Sequence, residues 1–151
     1  MSRTRVRVVL DFTKKSNAVP HEFETTSCKI IRMFRVDVKT KIDEELSRGE
    51  AARREGFEGR ARVCARRAAG AAIREFLQLR GLPLAGPSAV DLLAQLQALV
   101  EQGGILENDR PEVEQVIGHL LMRVDEAFSL PIEADLLAET RWLAQTLETN
   151  T

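Results

Sequence analysis

Arginines recur every seven residues in the central part of the chain. Arg60, Arg67 and Arg74 have the spacing that places side chains on one face of a helix, with Arg66 beside them. Guanidinium groups in such a row can hold the phosphates of a nucleotide or of RNA. The row is equally typical of a solvated or partner-facing surface whose charges pair with glutamates. The sequence leaves both interpretations open.

Few residues are available for histidine or thiol chemistry. The chain has two histidines, His21 and His119, and two cysteines, Cys28 and Cys64. Neither type occurs at zinc-ligand spacing, and neither histidine follows a glutamate by three residues as in di-iron helical bundles. We therefore predict no metal and no cofactor. Cys64 is predicted to be a small core residue, and His119 a histidine packed at the edge of the core.

Other catalytic and binding motifs are missing from the sequence. The chain has no phosphate-binding loop of the Walker type, no glycine-rich dinucleotide fingerprint and no Gly-x-Ser-x-Gly elbow. It has no Tyr and a single Trp, so aromatic platforms on which bases stack are scarce. These absences favour a binding protein over an enzyme.

The elements that would position these residues are helices. Ala, Leu, Glu and Arg, which favour helices, dominate the chain from Asp43 to Leu147. No β-rich stretch follows residue 41, which predicts an all-α fold, an up-and-down bundle of four to five helices. The predicted helices run from Lys41 to Glu55, from Gly59 to Arg80, from Ser88 to Gly103-Gly104, from the Asn108–Pro111 start onward, and from about Ile132 to Leu147 after a break at Ser129–Pro131.

The last two helices carry more large apolar residues than one narrow stripe needs. An exposed apolar patch usually marks a partner surface, and identical chains usually meet with two-fold symmetry. We therefore predict a homodimer, with Leu121, Leu137 and Trp142 as candidate interface residues.

The composition changes near residue 41. Residues 1–41 hold ten basic and four acidic residues, whereas residues 42–151 hold twelve basic and nineteen acidic residues. This change divides the chain into a basic N-terminal extension (1–41), irregular or weakly structured, and a helical-bundle domain (42–151). Residues 1–32 read as an upstream extension with the natural start at Met33, as a basic arm that contacts phosphates, or as a pair of strands.

The overall composition is that of a single globular domain. The chain has 151 residues, 44% of them hydrophobic, and a net charge of -1, which gives no global attraction to nucleic acid or to an acidic membrane. No apolar run approaches the roughly 20 residues that span a bilayer, so no membrane partner is predicted. Two cysteines suit a reducing compartment, which predicts a cytoplasmic protein.

Two stretches resemble bacterial and archaeal HEPN domains. Residues 50–70 (EAARREGFEGRARVCARRAAG) are similar to the first long helix of that family, and residues 130–141 (LPIEADLLAETR) are similar to its closing helix. With the matching helix order, the resemblance covers roughly residues 42–148. It implies a helical bundle that dimerises.

The resemblance also implies a function that can be checked against the sequence. Many family members are RNases with an Arg, four to six residues and then a His. Others lack this motif and act with minimal nucleotidyltransferases in toxin–antitoxin modules. Positions 112–114, where His119 would need its Arg, are Glu112, Val113 and Glu114, and positions 14–16 before His21 also lack Arg. The resemblance thus predicts a non-catalytic HEPN-like interaction module, and the alternative is an RNA or nucleotide binder, or an atypical RNase, that uses the arginine row.

Overall fold

The computed structural model describes residues 33–122 and 134–151. These residues form an all-α bundle with no strand among them, which confirms the predicted fold class. A 3₁₀ turn at Glu107–Asp109 precedes the fourth helix. The helices are α1 (Val36–Arg54), α2 (Glu58–Leu79), α3 (Ala89–Gln102), α4 (Arg110–Leu121) and α5 (Leu136–Thr149).

Helix α2 is the centre of the bundle and contacts the four other described helices. Its inner side is built from alanines together with Ile73, Phe76 and Leu77, all fully buried. Small side chains let neighbouring helices approach closely. A Cβ atom added at Gly70 would lie 2.8 Å from the Cβ of Ala89, so α3 could not come so near to a larger residue.

The boundaries of α3 and α4 follow local signals in the sequence. Ser88 caps α3, its Oγ accepting a hydrogen bond from the backbone N–H of Asp91 at 3.1 Å. Helix α3 ends at Gly103, whose φ of 81° favours glycine. Pro111 lies in the first turn of α4, where its missing N–H has no partner to lose.

The first helix begins earlier than the sequence predicts. Helix α1 starts at Val36 rather than Lys41. Contacts with residues far along the chain fix the two residues that precede it. The Phe34 side chain is buried in the core, and Arg35 donates three side-chain hydrogen bonds and a backbone N–H to the buried carboxylate of Glu75. The bundle therefore includes residues that the predicted boundary at 41/42 assigned to the extension.

Some predicted features lie outside the described residues. Residues 1–32, to which the basic-arm and strand interpretations apply, are among them, as is the predicted break at Ser129–Pro131. The last helix begins at Leu136 rather than near Ile132, with Asp135 as its N-cap. No described helix is both long and apolar enough to cross a bilayer.

The large apolar residues of α4 and α5 mostly belong to the core of the chain itself. Leu120, Leu136, Leu137 and Leu143 are each at most 2% exposed. These four residues can face one core because α5 packs against α1, α2 and α4 and so buries a wide arc of its surface, whereas Leu121 and Trp142 stay partly exposed. Leu137 is therefore not available to an interface in this fold.

Candidate functional site

Helices α1 and α2 pack side by side in opposite directions and leave a groove between them. Their close approach is centred on Gly49, where an added Cβ would lie 3.2 Å from the Cβ of Cys64 and 3.5 Å from the carbonyl oxygen of Ala61. The same added Cβ would lie 2.6 Å from the Cδ2 atom of Leu137 on α5. The contact leaves the opposite side of this helix pair open to solvent.

Two adjoining hollows make up this α1–α2 groove. The first has a volume of about 660 Å³, and Arg48, Arg60 and Arg67 supply its cations. The second has a volume of about 300 Å³, its cations are Lys41, Arg67 and Arg74, and Pro87, Ala89 and Leu92 at the start of α3 also line it. Glu45 and Arg67 line both hollows.

The arginine row lies along this groove, except for Arg66. Arg60, Arg67 and Arg74 all line the groove, as their spacing predicts. Arg66 is turned about 100° further around α2 and faces α4. There it donates to the carbonyl oxygens of Leu120 (2.6 Å) and Met122 (2.8 Å) at the end of α4. Arg66 therefore fastens two helices together and is no part of the groove.

The groove arginines differ in how they are held. The Arg60 guanidinium lies 5.4 Å from the centre of the Phe57 ring, and Arg74 donates to the carbonyl oxygen of Pro87 at 2.8 Å. Arg48 donates to the Glu45 carboxylate at 3.2 Å. Arg67 and Lys41 are exposed and have no hydrogen-bond or ion-pair partner among residues 33–122 and 134–151. These two cations are thus the most available to a ligand.

Two glutamates close to the row in the sequence, Glu58 and Glu75, pair with arginines outside it. Glu58 pairs with Arg53, and Glu75 pairs with Arg35. The interpretation of the row as a set of internal ion pairs therefore finds no support at these two glutamates. Glu55 does line the first hollow, but no ion pair joins it to a groove arginine in the described part of the chain.

Glu45 and Cys64 form the buried side of the groove. The Glu45 residue is 8% exposed, and its Oε2 atom has no hydrogen-bond partner among the described residues. Burial and the nearby negative charge of Glu45 raise the pKa of the Cys64 thiol. Cys64 is 6% exposed, so it is the buried small residue that the sequence predicts.

His119 lies between α4 and α5 and is half-buried. Its Nδ1 atom is 3.0 Å from each carboxylate oxygen of Glu139. This is the hydrogen-bonded histidine at the core edge that the sequence predicts. In the described residues, no group of three or more His, Cys, Asp or Glu side chains is placed to hold a metal ion.

The sequence analysis missed one wall of the groove. Lys41 and Arg48 on α1 are seven residues apart, which is the same signal that identified the row on α2. These two cations lie opposite the α2 row only because of how α1 packs against α2, and the sequence pattern does not report that packing. Of the three candidate interface residues, Leu137 is buried, whereas Leu121 and Trp142 are partly exposed and pack against the core.

The groove combines five cations with two carboxylates and the exposed side chain of Val63. Comparison of the chain with protein-family models, with curated proteins and with solved structures gives no match.

Proposed function

We propose that the chain is a non-catalytic, HEPN-like helical interaction module that binds a partner protein through the α1–α2 groove. The observation that carries this proposal is the position of Arg67 at the centre of a groove that also exposes Val63. Among the described residues, Arg67 has no ion-pair partner. Phe57, at the start of α2, is 55% exposed and lies under Arg60. Arginine and aromatic side chains beside apolar surface are enriched at protein interfaces.

The environments of His119 and Cys64 support a non-catalytic role. An RNase of the HEPN type needs an Arg separated from its His by four to six residues, and positions 112–114, where the Arg for His119 would lie, are Glu, Val and Glu. The imidazole of His119 is instead held by Glu139, and the raised pKa of Cys64 keeps its thiol protonated. We expect no cleavage of generic single-stranded RNA, and cleavage that disappears in His119→Ala would refute this part of the proposal.

The resemblance to HEPN domains supplies the class of partner. We propose a minimal nucleotidyltransferase of a toxin–antitoxin module, in the cytoplasm, where the free thiol of Cys64 stays reduced. The test is a titration of such an enzyme with the full chain. Arg67→Glu should weaken the complex at least tenfold, and Arg54→Glu, which changes an exposed arginine outside the groove, should not. Equal affinities of the two variants would overturn the proposed binding surface.

A homodimer is the second part of the proposal. Leu121 on α4 and Trp142 on α5 are partly exposed, and they support a contact between copies at this side of the bundle. Truncating an aromatic anchor at an interface can cost about 2 kcal/mol or more, so Trp142→Ala should dissociate the dimer. Light scattering at tens of micromolar decides the question, because a monomeric full chain would contradict it.

RNA or nucleotide binding is the alternative function. The observation that favours it is the row of Arg60, Arg67 and Arg74, which the structure places along one groove. Salt distinguishes the two functions. Binding of RNA through several arginines releases counterions condensed on the RNA and should therefore weaken steeply and log-linearly with ionic strength. A protein partner carries no such condensed counterion layer, so its binding should fall less steeply with salt.

A further inference from the structure

The cations of the two groove walls alternate along its length. Lys41 and Arg48 on α1 are seven residues apart, as are Arg60, Arg67 and Arg74 on α2. Seven residues of helix rise by about 10.5 Å. Each wall taken alone therefore carries a positive charge about every 10 Å.

The pairing of α1 with α2 sets the offset between these two series. Arg48 lines the same hollow as Arg60 and Arg67, so it lies between them along the groove. Lys41 lines the second hollow with Arg67 and Arg74, and so occupies the next interval. This offset agrees with Gly49 lying opposite Ala61 and Cys64. The resulting order along the groove is Arg60, Arg48, Arg67, Lys41, Arg74, one cation roughly every 5 Å.

This spacing matches the side chains along one face of an α-helix. Residues at i, i+3, i+7, i+10 and i+14 follow one another at roughly 5 Å along the helix axis. We propose that the partner presents an acidic helix that lies along the α1–α2 groove, with Asp or Glu at these positions opposite the five cations. This inference rests on the proposed function and names the element of the partner that the groove recognises.

Several features of the groove suit a helix. Small residues, including Ala51 and Gly59, line its first hollow and let another helix approach closely. Val63 is 42% exposed within the first hollow and would meet apolar side chains that lie between the carboxylates. Arg48 and Arg74 each use only part of their five N–H donors within the chain, so donors remain for a ligand.

One feature favours a helix over a nucleic acid strand. A single strand gains affinity from bases stacked on aromatic rings, and the exposed ring of Phe57 is already covered by the Arg60 guanidinium.

Two peptides of equal composition test whether binding depends on the spacing of the acidic residues along the helix. The striped peptide is an alanine-rich helix of about 18 residues with Glu at i, i+3, i+7, i+10 and i+14. The scrambled peptide carries the same five Glu residues distributed around the helix. Binding of each labelled peptide to the full chain is measured by fluorescence anisotropy at low salt. We expect the striped peptide to bind at least tenfold more tightly, and Arg67→Gln to abolish most of this difference. Arg54→Gln is the matched control and should leave it unchanged.

The outcomes separate this inference from the proposed function. Equal binding of the two peptides would overturn the acidic helix, while the proposed function would stand if its partner complex still depended on Arg67. Tighter binding of a single-stranded RNA oligonucleotide than of the striped peptide would overturn the acidic helix in favour of the alternative function. Circular dichroism melts of both variants confirm that each is folded, so a loss of binding cannot be attributed to unfolding.

Discussion

Two adjacent arginines show how neighbouring residues of one helix take on different roles. Arg66 satisfies carbonyl groups at the end of α4, which have no partner within their own helix. Arg67 faces the α1–α2 groove and is exposed. The seven-residue spacing predicts the position of Arg67 on α2. It could not predict the role of Arg66, because the carbonyl groups that Arg66 meets lie more than fifty residues further along the chain.

This difference predicts a large effect on stability for one arginine and a small effect for the other. Arg66→Ala should lower the free energy of unfolding by about 1–3 kcal/mol, because it removes two charge-assisted hydrogen bonds to backbone oxygens. Arg67→Ala should change it by less than about 0.5 kcal/mol, as is usual for an exposed side chain. Urea denaturation of both variants provides the measurement. A comparable loss in the two variants would show that Arg67 is held within the fold after all.

Asp135 predicts a dependence of stability on pH. Burial tends to raise the pKa of its carboxyl group, but hydrogen bonds from Arg53 and from the backbone N–H groups of Ala138 and Leu137 outweigh burial and lower it below 3.8. A depressed pKa in the folded state means that the carboxylate stabilises the protein at pH values above the unfolded pKa. This contribution is lost as the pH falls below about 4.

The variant that isolates this contribution is Asp135→Asn, because Asn also caps helices well. At pH 7 we expect the wild type to be more stable by at most about 1 kcal/mol, since the Asp135 side chain is half exposed and its ion pair with Arg53 is screened by solvent. The difference should shrink in urea titrations near pH 3. Asp43→Asn, which changes an exposed carboxylate of α1, is the matched control.

At the scale of the elements, the helices that begin with local signals are those whose starts the sequence predicts best. Ser88 and Pro111 mark their helices through nearby backbone atoms, so their effect can be read from adjacent residues. The start of α1 depends instead on Phe34 entering the core and on Arg35 binding Glu75, forty residues away. No local pattern reports such a contact, and this explains why the predicted start is five residues late.

The crossing of α2 and α3 predicts a contrast between two helical glycines. Gly→Ala within a helix gains up to about 1 kcal/mol from backbone propensity. Gly118→Ala should show this gain, because nothing lies within 4 Å of its added Cβ. Gly70→Ala should be destabilising by about 1–2 kcal/mol, because its Cβ would lie 3.1 Å from the Cα of Ala89 and force α3 to shift. Thermal melts of the two variants should move in opposite directions, and a stabilised Gly70→Ala would contradict the close crossing.

At the scale of the whole molecule, residues 33–122 and 134–151 belong to one compact unit. We therefore expect a chain that begins at Met33 to melt within a few degrees of the full chain. A chain that begins at Asp37 should melt at a clearly lower temperature. It loses the buried Phe34 ring, worth about 2–3 kcal/mol, and leaves the Glu75 carboxylate buried without Arg35.

Phe34→Ala in the chain that begins at Met33 isolates the contribution of the ring. Met33→Ala is its control, because Met33 is 61% exposed. Similar melting temperatures for the chains that begin at Met33 and Asp37 would show that the bundle closes without these anchors.

Helix α2 carries its packing contacts and the residues of the proposed binding surface on opposite sides. Its buried side contacts the four other described helices, while the opposite side presents Arg60 and Arg67 to solvent. Substitutions at such exposed positions usually change stability by less than about 0.5 kcal/mol. The row could therefore diverge during evolution, or be redesigned by exchanging cations for acidic or polar side chains, without any repacking of the bundle. One scaffold of this kind could serve a series of paralogues that differ only in the charges along a single helix.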